Sequence, residues 1–275
     1  MIIWRKGWVP AESADEWKAR GLTLCAFKTP GSPRPKHFTF EIQETDPLWR
    51  PLSQFLRGEY TLIRTTFTDQ ERLDAEWCIM RGEFSIEEAA AQDYGWGDEF
   101  FRNRCKDCGS GWEEVAPLQL KREPNLDNNQ FCGFGSGFEL FCTPLVLGEL
   151  SRRGYKGFET WPLMSGTTGR PVESVKQIVV TEVAKPTIAQ ELVEHERYKQ
   201  TVCPVCGQIW HAYYVRGVLP MRRAALKPDT DFQLTNEWFG NGRTARREIL
   251  VSQRVVRLIL ANNWRGAELT PIQAV

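Results

Sequence analysis

The sequence predicts an α+β protein, in which an N-terminal α/β region precedes a tandem-duplicated strand–helix–strand module. The phrase Cys-x-x-Cys-Gly-x-x-Trp occurs twice, starting at Cys105 and at Cys203. Three further blocks recur after each copy in the same order. The first hundred residues lack this repeat and mix short helix and strand signals. We therefore expect an acidic α/β region over 1–100 and a duplicated module over 101–275, clamped by its cysteines.

Composition sets limits on the class of protein. The chain has 275 residues, 41% of them hydrophobic, which is enough for one large core or two smaller ones. It carries 35 basic and 35 acidic side chains, with 12 against 17 in the first hundred residues. That balance argues against a dedicated polyanion-binding protein. The N-terminus lacks a secretory pattern, and no apolar run would span a bilayer, so we expect a cytoplasmic protein with no membrane partner.

The N-terminal region shows separate helix and strand signals. "SADEWKARG" from Ser13 has an N-cap residue, early acids and a closing Gly, which predict a short helix. "EYTLIRTTF" is rich in β-branched residues and predicts a strand. Two capping boxes predict helices that open at Asp69 and at Ile86. This region therefore predicts an ordinary mixed α/β fold.

Four blocks align between the two halves of the module, and the offset between them only grows. It is 98 for the cysteine phrases, 101 for "LQLKR" against "LPMRR", 105 for "FGSG" against "FGNG" and 109 for the last block. Small loop insertions between fixed elements would produce this growth. The blocks predict repeat one over 101–163, a connecting hairpin and helix over 164–200, and repeat two over 201–275.

The last block predicts the core of each repeat. "LFCTPLVLGELSRRGYKGFETWPL" aligns with "ILVSQRVVRLILANNWRGAELTPI". Each begins with apolar residues typical of a strand, and then has Thr143 or Ser252 as a helix cap. Apolar residues at helical spacing follow, and an alternating strand ends the block. Two such units, each needing a neighbour, would pack about a pseudo-twofold axis.

The two cysteine phrases predict a single metal site. Cys-x-x-Cys places two sulfurs on one ion, and four thiolates suit the tetrahedral coordination of zinc. The duplication would bring the two turns together, so we predict one structural zinc ion held by Cys105, Cys108, Cys203 and Cys206. The alternatives are a redox dithiol and two vestigial turns that have lost their metal. A redox pair normally heads a helix, whereas "CPVCGQIWHAYYVRGVL" continues as strand-like sequence.

Other chemically interesting residues have ordinary interpretations. Trp112 and Trp210 could stack nucleic-acid bases, but a packed ring beside each turn is the preferred interpretation. The remaining cysteines are interpreted as buried apolar thiols: Cys25, Cys78, Cys132 and Cys142. His195 and His211 have no recognisable catalytic partner, and "FGSG" and "FGNG" lack the context of a phosphate-binding loop. The sequence therefore predicts no catalytic residue.

The two Cys-x-x-Cys-Gly phrases, "EWFGNGRTARREILVS" and the closing "GAELTPI" resemble the bacterial double-CXXCG motif family. The resemblance covers about residues 100–275. It implies that the same four cysteines are zinc ligands, and it supplies no catalytic residue. Members of that family include immunity proteins that neutralise polymorphic toxins. In that family the first phrase lies close to the N-terminus, whereas about a hundred residues precede it here.

The function expected from these observations is protein–protein binding without catalysis. The resemblance implies an immunity protein whose partner is a cognate bacterial toxin. The acidic N-terminal region could cover a basic nuclease-type toxin. The alternative is a zinc-ribbon-like adaptor that binds nucleic acid or regulates another protein, using Trp112, Trp210 and the two basic strands.

Overall fold

The computed structural model describes residues 1–27, 35–57, 61–83, 85–86, 100–120, 123, 126–134, 139–193, 198–240 and 245–275. The described chain is a mixed α+β protein dominated by strands. It divides into two compact units. The first unit is Met1–Thr68 with Tyr214–Gly217, and the second is Asp69–Tyr213 with Val218–Val275. Among the described residues, no helix has the length and apolar content needed to cross a bilayer.

The first unit is a four-stranded antiparallel sheet with two helices. Its strands lie in the order β2-β3-β1-β4. A cluster of apolar side chains, among them Val9, Phe40 and Leu52, forms its core. The elements are β1 Ile2–Pro10, α1 Ala14–Ala19, β2 Cys25–Phe27, β3 His37–Gln43, α2 Trp49–Phe55 and β4 Leu62–Thr66. The helix predicted after Ser13 and the strand predicted around Leu62 are confirmed.

The second unit holds the remaining elements. Its helices are α3 Asp69–Asp74, α4 Pro144–Arg152 and α5 Gln253–Ala261. Its first strands are β5 Trp77–Gly82, β6 Ser85–Ile86, β7 Phe101–Arg102, β8 Glu113–Glu114, β9 Gln119–Leu120, β10 Phe131–Phe134, β11 Leu140–Cys142, β12 Phe158–Ser165 and β13 Pro171–Val180. The later strands are β14 Gln200–Val202, β15 Ile209–His211, β16 Leu219–Met221, β17 Phe232–Leu234, β18 Trp238–Phe239, β19 Ile249–Ser252 and β20 Ala267–Ala274.

Two sheets of the second unit follow the same pattern. One has the order β6-β10-β11-β13-β12-β9, and the other has the order β16-β20-β5-β19-β17. In each, a strand–helix–strand segment spans the sheet: β11-α4-β12 in the first and β19-α5-β20 in the second. One further strand separates the two ends of each segment, namely β13 or β5. The last pair in each sheet is parallel, β12 with β9 and β20 with β16.

Reciprocal backbone hydrogen bonds join the loop after each segment's helix to the start of a strand in the other sheet, β17 or β10. The carbonyl oxygen of Lys156 accepts from the N–H groups of Asp231 and Phe232, each at 3.0 Å. The carbonyl oxygen of Arg265 accepts in the same way from Gln130 and Phe131, each also at 3.0 Å. The helices share one apolar core, which includes Val146 and Leu150 of α4 and Val255 and Ile259 of α5. The two sheets are therefore joined by backbone hydrogen bonds, and their helices share a common core.

The unit boundary lies at Thr68, whereas the sequence predicted a boundary near residue 100. The physical reason is β5, which pairs antiparallel with both β19 and β20 in the middle of the second sheet. The helix predicted at Asp69 is confirmed as α3. The helix predicted at Ile86 is wrong at its start, because Ser85–Ile86 form a strand parallel to β10. The residues that would continue that helix lie outside the described part of the chain.

Two further local predictions differ from the structure. The turn over 165–170 does join a hairpin, but its first strand is β12, the last strand of repeat one. The connecting helix predicted before Cys203 is reduced to a 3₁₀ turn at Gln190–Leu192 among the described residues. Before that turn, the Glu237 carboxylate accepts from the N–H groups of Thr187 and Ile188.

Candidate metal centre

Each Cys-x-x-Cys phrase forms the tip of a β-hairpin. The first turn lies between β7 and β8, and the second lies between β14 and β15. Short paired strands flank each turn, so the two sulfurs of each phrase project from one loop. The local signal that the sequence offered, two cysteines separated by two residues and followed by Gly, corresponds to this hairpin tip.

The two turns have the same backbone hydrogen bonds. The N–H of Gly109 donates to the carbonyl oxygen of Cys105 at 2.8 Å, and that of Gly207 donates to Cys203 at 3.0 Å. Each first cysteine donates its own N–H to the residue five positions later, Ser110 or Gln208, at 2.9 Å. Gly109 and Gly207 have φ values of 76° and 72°, a left-handed conformation that glycine adopts without steric cost. The turn therefore needs the glycine in both phrases.

The four predicted cysteines come together at one point. The Sγ atoms of Cys105, Cys108, Cys203 and Cys206 all lie within 4.8 Å of one another. Cys105 Sγ lies 3.9 Å from Cys203 Sγ, and Cys108 Sγ lies 3.6 Å from Cys206 Sγ. These separations are far longer than a disulfide bond of about 2.05 Å. The cluster could hold a metal ion.

The donor set fits a tetrahedral ion. Zinc–sulfur bonds are about 2.3 Å long, so the sulfurs at the corners of a zinc-centred tetrahedron lie about 3.8 Å apart. The two sulfur–sulfur distances across the turns, 3.9 and 3.6 Å, fall on either side of that value. Thiolate ligands favour zinc and other soft ions over magnesium or calcium. Four sulfurs would complete the shell of a tetrahedral ion held here.

The surroundings of the cluster are asymmetric. Cys108 and Cys203 are buried, Cys105 is partly buried and Cys206 is exposed. The buried hydroxyl of Ser110 lies 2.9 Å from Cys108 Sγ and 3.9 Å from Cys206 Sγ. Such outer contacts orient metal ligands. Ser110 was not predicted as part of the site; its position immediately after the Cys-x-x-Cys-Gly phrase was the available signal.

The thiols of the cluster have different proton affinities. The backbone N–H of Gln208 stabilises the Cys206 thiolate and lowers the pKa of Cys206 to about 7. Burial raises the pKa of Cys108. The cluster therefore contains an exposed thiol that ionises readily and a buried thiol that ionises with more difficulty.

Trp112 packs inside the second unit beside the first turn. Its ring meets Phe101 at 5.1 Å and Trp238 at 6.0 Å, both edge to face. Its Nε1–H donates to the carbonyl oxygen of Ala245 at 3.2 Å, and the N–H of Ala245 donates to the carbonyl oxygen of Cys108 at 3.1 Å. These contacts favour the packing interpretation of Trp112 over a stacking platform. Trp210 lies on β15 and is also partly buried.

The remaining candidate residues lie apart from the cluster or outside the described residues. Buried thiols are confirmed for Cys78, Cys132 and Cys142, whereas Cys25 is exposed on the edge strand β2, so its predicted burial is wrong. His211 is buried, and its Nδ1 lies 2.9 Å from the Tyr198 hydroxyl. Burial lowers the pKa of His211. His195 and most of "FGSG" lie outside the described residues, as does the second half of "FGNG".

Buried charged pairs form a second polar feature, which was not predicted from the sequence. Arg246 Nη1 donates to both carboxylate oxygens of Glu139, at 2.8 and 3.0 Å, and both side chains are buried. Arg81 makes a two-point contact with Glu248, whose side chain is also buried. The available signal was the group of charges in "RREILVS", directly before a buried strand. Each buried charge has an oppositely charged partner, so these residues are interpreted as structural ion pairs.

Comparisons with protein-family models and with curated proteins found no match for this chain.

Proposed function

We propose that this chain is a non-enzymatic zinc protein that acts by binding another protein, as an immunity protein that neutralises a bacterial toxin. The observation that carries the proposal is the convergence of four cysteine sulfurs from two hairpins that are 98 residues apart in the sequence. A complete sulfur shell supports a structural role for the ion, because catalytic zinc sites keep one position for water or substrate. Cys105, Cys108, Cys203 and Cys206 would hold it.

We further infer that the two halves of the module arose by duplication. The matched sheet orders, the matched turns and the reciprocal bonds from Lys156 and Arg265 support this inference. A twofold arrangement of two hairpins provides two sulfurs from each half. One zinc ion would then fasten the halves to each other. Binding of zinc to such sites contributes on the order of 10 kcal/mol in small zinc-dependent modules.

The toxin-neutralising role is supported by the resemblance of the cysteine phrases and the closing block to the double-CXXCG family. Charge offers a second argument. Residues 69–100 contain ten Asp or Glu and only two Lys or Arg. An acidic segment of this kind favours association with a basic partner through complementary potential. Nuclease toxins, which bind polyanions, are a class with such basic surfaces.

Metal analysis tests the zinc part of the proposal. We expect the purified chain to contain one zinc ion per molecule, measured by mass spectrometry of the metal. Double serine variants of either pair, Cys105 with Cys108 or Cys203 with Cys206, should lose it. The exposed Cys25→Ser variant is the matched control and should keep the full metal content. Zinc retained in either double variant, or absent from the unmodified chain, would contradict the shared site.

A binding and rescue experiment tests the toxin part. The chain would be co-expressed with a toxin-like protein encoded beside its own gene. We expect the two proteins to co-purify and the chain to restore growth of cells that produce the toxin. An unrelated toxin serves as the control for specificity. If the chain neither binds the protein encoded by the neighbouring gene nor protects the cells, the immunity role is wrong, even if the zinc result holds.

A further inference from the structure

Among the described residues of the first unit, both helices pack on the same face of the sheet. Side chains alternate between faces along a strand, and residues paired across antiparallel strands share a face. Val9, Phe40 and Ile42 lie on the face that packs with the helical residues Trp17 and Leu52. The residues between them in β1 and β3 therefore lie on the opposite, outer face.

The outer face presents aromatic rings and cations in alternation. Strand β1 places Trp4, Lys6 and Trp8 there, two residues apart. Arg64 of β4 pairs with Trp4, and Phe27 of β2 lies opposite His37 of β3. Trp8 is 41% exposed and Phe27 is 56% exposed. Tryptophan is normally one of the more buried side chains, so its exposure on an open sheet indicates a binding surface.

The aromatic rings are held in position by neighbouring side chains. The Trp8 ring lies against the His37 ring with a centroid distance of 4.5 Å. Trp4 donates its Nε1–H to the Thr66 hydroxyl at 3.1 Å. Rings that are already oriented lose little conformational freedom when a flat ligand stacks on them.

The charge of this part of the chain favours an anionic ligand. Residues 1–68 contain ten Lys or Arg and seven Asp or Glu. The acidic balance of the first hundred residues comes from residues 69–100, which belong to the second unit where described. On the outer face, Lys6 is exposed, and Arg64 is exposed although it pairs with Glu41 at 2.9 Å. The first unit therefore has an excess of basic residues, although the charge count over residues 1–100 is acidic.

We propose that this outer face binds single-stranded nucleic acid, with bases stacked on Trp8 and Trp4 and phosphates bound by Lys6 and Arg64. Single strands offer the two features that this surface complements, planar aromatic faces and a regular negative charge. Duplexes keep their base faces stacked internally and so cannot use the rings. Every residue in this proposal belongs to the first unit, so it is independent of the zinc cluster and of the toxin-neutralising role.

Fluorescence anisotropy of labelled oligonucleotides tests the proposal on the full chain with its metal retained. The probes are single-stranded oligo-dT and oligo-U of about 12 nucleotides, a length within the usual site size, together with a duplex. We expect both single strands to bind more tightly than the duplex. Trp8→Ala should weaken binding by about tenfold, because it removes a ring on which one base stacks. Trp8→Phe should restore part of the loss.

Two control variants separate stacking from general effects. Phe55→Ala removes a ring of almost equal exposure, 40%, from α2. Arg50→Gln removes an exposed cation from the same helix. Both should bind like the unmodified chain, whereas Lys6→Gln should lower the slope of log affinity against log salt by about one. The proposal is overturned if no single strand binds at low salt, or if Trp8→Ala binds as well as Phe55→Ala.

Discussion

The backbone carbonyl oxygen of Phe232 occupies the position where Gly157 would carry a side chain. Gly157 has a φ of 97°, so a substitution there meets both a strained backbone and a collision. Gly266 is related in the same way to the carbonyl oxygen of Phe131, with a φ of 86°. The two glycines are aligned in the repeated sequence blocks, and each allows the loop after one segment's helix to lie close to the first residue of a strand in the other sheet.

Replacing either glycine should destabilise the second unit. We expect Gly157→Ala and Gly266→Ala each to lower the free energy of unfolding by about 3 kcal/mol or more, because backbone strain alone costs about 1–3 kcal/mol. Gly154→Ala is the matched control, since Gly154 has a φ of 67° but open space around it. It should show the backbone cost alone. Urea unfolding followed by circular dichroism would measure all three, and equal losses would disprove the collision.

Breaking the buried Arg246–Glu139 pair should be costly. Removing one partner of such a pair leaves a buried charge without its counter-ion and typically costs about 3–5 kcal/mol. We expect Arg246→Met to show a loss of this size in urea unfolding. The double variant Arg246→Met with Glu139→Leu should recover much of it. Arg222→Met, which breaks the exposed pair with Glu191, should cost less than about 1 kcal/mol.

Glu114 should make the stability of the second unit depend on pH. Burial, reinforced by the nearby Glu139 carboxylate, raises the pKa of Glu114 to about 8. An unfolded glutamate has a pKa of about 4.3, so the folded chain holds the extra proton between these values. The contribution of protonated Glu114 to the free energy of unfolding is complete below the unfolded pKa and is lost as pH rises through the folded pKa. Stability should fall by up to about 1.4 kcal/mol per pH unit in that window.

The Glu114→Gln variant tests this pH dependence. It keeps an acceptor for Gln177, which donates to Glu114 at 3.0 Å, and it cannot ionise. We expect the variant to gain stability relative to the unmodified chain as pH rises toward 8, measured by urea unfolding. Glu113→Gln removes an exposed neighbouring acid and should follow the unmodified chain. If the stability of Glu114→Gln varied with pH in the same way as that of the unmodified chain, the assignment to Glu114 would be contradicted.

Thiol labelling should divide the eight cysteines into three groups. Cys25 is exposed and lies outside the cluster, so it should react first with a thiol reagent in the metal-loaded protein. Chelation should make the four clustered cysteines reactive as well. Burial raises the pKa values of Cys78, Cys132 and Cys142 to about 12, so these three should react only after unfolding. Mass spectrometry of labelled peptides would test this order. Labelling of Cys132 or Cys142 before chelation would contradict it.

The sequence was most informative where the structure is local or repeated. The cysteine turns depend on spacing and on a glycine within one short phrase, and both phrases carry these features. The strand–helix–strand segments likewise follow from their periodic apolar residues. The two predicted helix caps lie at the N-cap positions, but the predicted side-chain hydrogen bonds are not formed. Thr143 and Ser252 have extended N-cap backbones, but neither side chain caps its helix, and the Ser252 hydroxyl donates instead to Asp231 at 2.8 Å.

Contacts between distant segments were not readable from the sequence. The Arg246–Glu139 pair joins residues separated by 107 positions, and the local sequence around either residue does not identify its partner. The alternation of Trp4, Lys6 and Trp8 was visible, but which face of β1 would be covered depends on the positions of α1 and α2. The edge position of Cys25 depends in the same way on the order of the sheet.

Strand β5 lies in the middle of its sheet, and it is synthesised long before the two strands that pair with it. Residues 77–82 emerge from the ribosome long before their two neighbours, and Gly82 pairs with Ala267. At typical elongation rates of about 5–20 residues per second, this strand must wait roughly 10–40 seconds for its second partner. During that interval its apolar residues and unpaired backbone are available to other chains. Efficient production of this protein should therefore respond to chaperone capacity and to translation speed.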